Sequence, residues 1–167
     1  AIARLWGASR KFKVGAVILM VLVILALINP LISALIGGGE NPVAVGAYGP
    51  WEVPSAAHLL GTDRYGRDLL SMTLSGLEIS LIVAVIAGLL STVVGVIVAF
   101  VAGYKGGTWD GVLRTTTDMF LVVPSFPLLL TLSAYVHNLS LVHVSLMLAA
   151  FSWPFAARTL RSQVLSL

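Results

Sequence analysis

The chain has no cysteine, which removes disulfides, thiolate chemistry and zinc–thiolate sites but leaves the compartment open. Charge is scarce as well. Only 10% of the 167 residues are Asp, Glu, Lys or Arg, where a soluble domain carries about 25%. The formal net charge is +3, and the basic residues form no dense patch with interleaved aromatics, which argues against nucleic-acid recognition. A nucleotide-cradling loop is missing too. Gly103-Tyr104-Lys105-Gly106-Gly107 has neither the spacing nor the following hydroxyl residue that phosphate binding needs, so the chain alone is expected neither to bind nor to hydrolyse ATP. There is no internal repeat and no low-complexity tract.

What the sequence does have is apolar length. Hydrophobic residues make up 58% of it and the mean hydropathy is +1.00, which places it among membrane proteins. Crossing a hydrocarbon core of about 30 Å takes roughly 20 apolar residues. No charge falls between Lys13 and Glu40, and the first span is expected over residues 14–36, with Pro30 either bending it or ending it near Ile28. A second charge-free window, between Glu78 and Lys105, gives a span over 79–101. Between Asp118 and Arg158 lie 39 uncharged residues, too many for one helix, and the polar run His137-Asn138-Leu139-Ser140 divides them into 119–136 and 141–157. The fold class expected is therefore all-α, a polytopic transmembrane helix bundle with four spans. Its organisation reads as a cytoplasmic N-terminal segment (1–13), a first transmembrane helix (14–36), an extracytoplasmic loop (37–78) opening on the turn Gly37-Gly38-Gly39-Glu40, and a region of three further helices (79–167). The first span is too long for a signal-peptide core and reads as an uncleaved anchor. Ala1 at the start and the apolar run at Leu167 read as cuts in a longer polypeptide.

Orientation follows from basic residues in short loops. With the N-terminus in the cytoplasm, the inner segments hold Arg4, Arg10, Lys11, Lys13, Lys105, Arg114, Arg158 and Arg161, and the outer ones only Arg64 and Arg67. Trp109 and Trp153 then fall near the inner boundary, where aromatic belts form.

Few groups are candidates for chemistry. No Asp, Glu, Lys or Arg lies within any of the four expected spans, whereas a proton-coupled carrier or ion pump usually places one there. His137 and His143 lie at the outer turn without metal-ligand spacing and read as interfacial residues. Ser152 with His143 lacks a nearby acid and is a very weak hydrolase signal. No catalytic, cofactor-binding or metal site is expected. Ala87, Ser91, Gly95, Ala99 and Gly103 recur every four residues and form a ridge of small side chains, suited to close helix packing or to a surface that slides between two conformations. Pro124 and Pro127 interrupt the third span; they mark either a kink near the inner end or a bend that shapes a pathway. In the outer segment, Thr62 or Asp63 can cap a helix start, and Asp63 with Arg67, and Arg64 with Asp68, are spaced for ion pairs on a helix.

Three segments resemble a known family. The run from Pro54 to Ser71, with Gly61, Thr62, Asp63, Gly66, Arg67 and Asp68 at its centre, resembles the signature region of C-type permeases of the dipeptide/oligopeptide/nickel ABC importer family. So do Gly103-Tyr104-Lys105-Gly106-Gly107-Thr108-Trp109-Asp110, followed by Arg114, Asp118 and Pro124, and Ser152-Trp153-Pro154-Phe155-Ala156-Ala157-Arg158, followed by Arg161 and Gln163. Leu59 stands where the family often has Pro, Glu78 where it has a basic residue, and Met72 where it has Arg. The resemblance implies an inner-membrane subunit, six helices in the full-length permease, and an ATPase-docking loop beyond Leu167. It also implies a second homologous permease subunit, two cytoplasmic ATPase subunits and an extracytoplasmic solute-binding protein as partners, besides the lipid bilayer, and no cofactor. The transported solute would be a peptide, nickel or an oligosaccharide. A secondary transporter or channel subunit is the alternative.

Overall fold

The computed structural model describes residues 10–37 and 41–164; the N-terminal segment through residue 9, Gly38-Gly39-Glu40 (expected as part of a turn) and the last three residues lie outside them. Among the described residues five helices follow one another: α1 (Arg10–Gly37), α2 (Leu69–Lys105), α3 (Gly107–Val122), α4 (Ser125–Tyr135) and α5 (Leu141–Val164). No strand occurs among the described residues, only an isolated antiparallel bridge between Thr62 and Asp68. The chain is all-α and polytopic. Three of the helices (α1, α2 and α5) are long and apolar enough to cross a membrane, and α3 with α4 forms a bent pair that makes a fourth span if taken as one. Exposed Leu, Ile and Val cover much of these helices, as expected of surfaces solvated by lipid. Two compact units divide the chain, Ala1–Leu81 and Ile82–Leu167, and the division falls inside α2.

In the first unit α1 continues past Pro30 to Gly37, so the proline does not end it. Most of its apolar residues are exposed, but Asn29 is buried. Its amide donates to Glu78 Oε2 at 2.7 Å and lies 3.5 Å from Ser75 Oγ, and its oxygen accepts from Ser33 Oγ at 3.2 Å. Apolar surroundings make an unpaired amide costly, and this network satisfies both ends of it. Glu78 lies within α2, so the helix extends beyond the expected span 79–101 at this end. The sequence boundary was set by the last charge before the apolar run, whereas the helix begins at its cap, Asp68, well before that charge.

In the second unit, α2 presents Ala87, Ser91, Gly95 and Ala99 as buried positions, while Gly103 is half-buried. Buried hydroxyls are satisfied within their own helices: Ser91 donates to Gly88 O, Thr117 to Leu113 O and Ser145 to Leu141 O, which is how such groups are accommodated away from water. The stretch expected as one span over 119–136 is broken. α3 ends at Val122, Val123 and Pro124 are extended, and α4 leaves at 79° to α3. Proline explains the place of the break, because it disfavours helical backbone at the residue before it. Pro127 does not break anything. It sits in the first turn of α4, where its missing N–H would have no intrahelical partner in any case.

Candidate functional site

The polar segment of the first unit expected to lie outside the membrane folds as a small module between α1 and α2. Residues 46–52 run beside residues 61–66, joined by Gly46 N to Tyr65 O (2.8 Å), Tyr48 N to Gly66 O (2.9 Å), Trp51 N to Asp63 O (3.2 Å) and Thr62 N to Glu52 O (3.1 Å). Buried Thr62 uses its hydroxyl twice, donating to Gly49 O at 2.7 Å and accepting from Glu52 N at 2.8 Å. Asp63 closes a turn rather than starting a helix. Its Oδ1 accepts from the backbone of Tyr65 and Arg67 at 2.8 and 3.0 Å, and its Oδ2 takes the Arg67 guanidinium at 2.8 and 2.5 Å. The Arg67 side chain, chiefly, holds the Asp63 carboxyl below the usual carboxylate range, helped by those backbone donors.

Asp68 is fully buried and joins the module to the membrane helix. Its Oδ1 accepts from Ser71 N at 2.8 Å, so Asp68 is the N-cap of α2. Its Oδ2 lies 3.0 Å from Nδ1 of buried His58, and His58 Nε2 lies 3.6 Å from Glu52 Oε2. Tyr48 lies against the imidazole, with ring centroids 4.3 Å apart. The spacing argument assigned Asp68 to Arg64. Of the two pairs expected from the spacing, Asp63–Arg67 forms, while Arg64 lies over the Tyr65 ring, 4.4 Å from its centroid, and Asp68 is buried against His58, because the segment is a turn and not a helix. The module is anchored at both ends: Asp68 N donates to Pro42 O, Leu69 N to Gly61 O, and Tyr48 Oη to Ile36 O at the end of α1. His58 carried no sequence signal, since its partner lies ten residues on with no helical period between them.

In the second unit the small-residue ridge meets α5 at Gly95. A Cβ built on Gly95 would fall 2.6 Å from Ala156 Cβ and 2.8 Å from Ala157 N, so the α5 backbone occupies the space a side chain would need. Near this contact a cavity of about 310 Å³ is lined by α2 (Val98, Ala99, Ala102), α3 (Leu113, Arg114, Thr117, Asp118) and α5 (Ala157, Arg158, Arg161). Two ion pairs cross from α3 to α5. Arg161 holds Asp110 in a two-point grip, 2.7 and 2.6 Å, and Arg158 binds Asp118, which Arg114 also approaches at 3.9 Å. Phe120 packs on Trp153 and Phe151, ring centroids 5.4 and 6.4 Å away. The two groups considered for hydrolysis are engaged elsewhere: Ser152 donates to Leu148 O, and His143 Nδ1 lies 2.7 Å from Ser140 Oγ. Among the described residues no cluster of metal-ligating side chains occurs. The arrangement offers packed helices, a sharp bend between α3 and α4, and ion pairs between α3 and α5.

The chain is similar to known transport proteins along most of its length. It is 33% identical over 165 residues to the dipeptide transport system permease protein DppC of Bacillus subtilis, covering 97% of this chain and 50% of that protein. It is 36% identical over 115 residues to the oligopeptide transport system permease protein OppC of Mycobacterium tuberculosis, covering 68% and 40%. The probable D,D-dipeptide transport system permease protein DdpC of Escherichia coli is 29% identical over 151 residues, 90% and 49%. The chain thus spans half or less of the length of these curated relatives. No family model matches it. The relatives support a permease and lend nothing to the secondary-transporter or channel alternative.

Proposed function

This chain belongs to the C-type permeases of the dipeptide/oligopeptide ABC importer family, and from that premise we propose that it forms part of the translocation pathway of an ATP-driven importer in the cytoplasmic membrane. The solute is a peptide or a similar small molecule, with nickel or an oligosaccharide as the other candidates, delivered by an extracytoplasmic solute-binding protein. A second, homologous permease and two cytoplasmic ATPases complete the assembly. This subunit carries no bond chemistry: hydrolysis takes place on the ATPases, which dock on a loop following α5, and reaches the pathway by contact.

The observation that carries the reading is the alignment with a dipeptide permease over 97% of the chain. Its agreement with a chain of apolar helices that keeps its polar structure in one outer module and at the α3–α5 ends adds support. The small-residue ridge of α2 is then a close contact in the permease core, and the break at Pro124 a bend beside the pathway. ATP-dependent uptake by the full-length assembly in vesicles is the experiment that tests the function.

The orientation has a test of its own. In a full-length permease, cysteine at Ser55→Cys, on the exposed surface of the outer module, should react with an impermeant maleimide added to intact cells. Cysteine at Thr108→Cys, exposed at the start of α3, should react only after the membrane is opened. The reverse pattern would refute a cytoplasmic N-terminus.

A further inference from the structure

We propose that the two ion pairs joining α3 to α5 are a positioning device, through which movement imposed at the cytoplasmic end of α5 is passed to α3 and the bent segment beyond it. The inference rests on the importer reading and goes on to name the residues that carry the work.

The geometry is specific to α3. The helix is set off at both ends. Its N-cap Gly106 and its first residue Gly107 are both at positive φ (58° and 54°), a backbone conformation that a side chain makes unfavourable. After it comes the extended Val123-Pro124 break and the 79° turn into α4. A helix with a break at each end can move as a body, and hinges are a few such positions that absorb large backbone changes. What α3 follows when it moves depends on its side contacts, and the polar ones lead to α5. Asp110 lies in the first turn of α3 and Arg161 in the last turn of α5, while Asp118 further along α3 meets Arg158 earlier on α5. The order of the pairs is that of two antiparallel helices, and two separated links resist rotation as well as separation.

The two links are not equal. The Asp110–Arg161 side chains are about a quarter exposed (26% and 25%), those of Asp118 and Arg158 about half (44% and 62%). A two-point guanidinium–carboxylate pair fixes direction as well as distance, whereas an exposed pair contributes little. Arg161 is therefore the principal positioning residue and Arg158 the auxiliary one.

The test uses the full-length permease assembled with its ATPases and binding protein in vesicles, with ATP hydrolysis and solute uptake measured on the same sample. Arg161→Ala should leave the assembled complex present and hydrolysing ATP, yet lower solute moved per ATP by about tenfold, the mark of an interaction used in the working step rather than in binding. Asp110→Arg combined with Arg161→Asp, which restores the pair with its charges exchanged, should recover much of that ratio. If Arg161→Ala prevents assembly, Arg161→Lys serves in its place: it keeps the charge, loses the planar fork, and should assemble with a ratio lowered about threefold. Arg158→Ala should have a smaller effect than Arg161→Ala. An unchanged ratio in the assembled Arg161 variants overturns the proposal, as does a lowered yield with an unchanged ratio, which would mean packing alone, or a failure of the exchanged pair to recover. A wild-type assembly that takes up nothing with ATP removes the importer reading and this inference with it. A working wild type beside unchanged variants removes this inference alone.

Discussion

Gly95→Leu is expected to abolish the assembled permease, lowering the yield of folded, monodisperse protein by about tenfold or more, because overpacking of this kind costs about 1–3 kcal/mol even when neighbours can yield. Here they yield poorly. The obstruction at Gly95 includes the backbone nitrogen of Ala157 at 2.8 Å as well as the Ala156 methyl at 2.6 Å, so α5 must move as a whole. Small residues at such crossings allow the close approach from which membrane helices gain their packing energy. Val94→Leu provides the control. Val94 is 42% exposed and sits about 100° away around the helix, so the larger side chain points into open space, and yield should stay near wild type. Gly95→Ala should fall between the two. Size-exclusion profiles and thermal unfolding of the detergent-solubilised protein read all three. Equal tolerance at residues 94 and 95 would show that α2 and α5 do not pack at the Gly95 crossing.

Asp68→Ala is expected to loosen the outer module and the start of α2 together. One carboxylate does two tasks there, capping the helix through Ser71 N and facing His58 Nδ1 from a fully buried position. Loss of an N-cap costs about 1 kcal/mol, and leaving the buried imidazole without its partner adds about 1–3 kcal/mol. A total of roughly 2–4 kcal/mol is large against the stability of a small module. Asp68→Asn should be much milder, since asparagine caps helices as well as aspartate does and can still hydrogen-bond His58. Arg64→Ala, at the exposed surface, should change nothing. Limited proteolysis of the segment between α1 and α2 reports the difference. Cleavage in Asp68→Ala no faster than in wild type would mean that Asp68 does not hold the module together.

Much of this architecture was written in where charge is absent. The windows without charge located α1 and the apolar body of α2, because a charged side chain at membrane depth is costly enough to be seen by its avoidance. They did not show that α2 begins well before Glu78, which lies inside the helix and pairs with Asn29, a polar residue 49 positions away in sequence. The break at Pro124 could be read as a break, but not its angle, which depends on packing. The ridge at Ala87, Ser91, Gly95 and Ala99 was visible as a period of four, while the helix it meets was not. The same limit applies to the ion pairs. Asp110, Arg114, Asp118, Arg158 and Arg161 were all visible as charges, yet sequence spacing offers only neighbours three or four apart, and the pairs that matter are separated by 40 and 51 residues.

The most direct measurement is uptake by vesicles that contain the full-length permease, its partner permease and the two ATPases, supplied with the binding protein and a labelled peptide. An importer permease requires accumulation that depends on ATP inside the compartment equivalent to the cytoplasm, that stops when the ATPases cannot hydrolyse, and that is absent without the binding protein. Uptake that proceeds without ATPase subunits, driven by an ion or proton gradient alone, would contradict that function and return the chain to the secondary carriers.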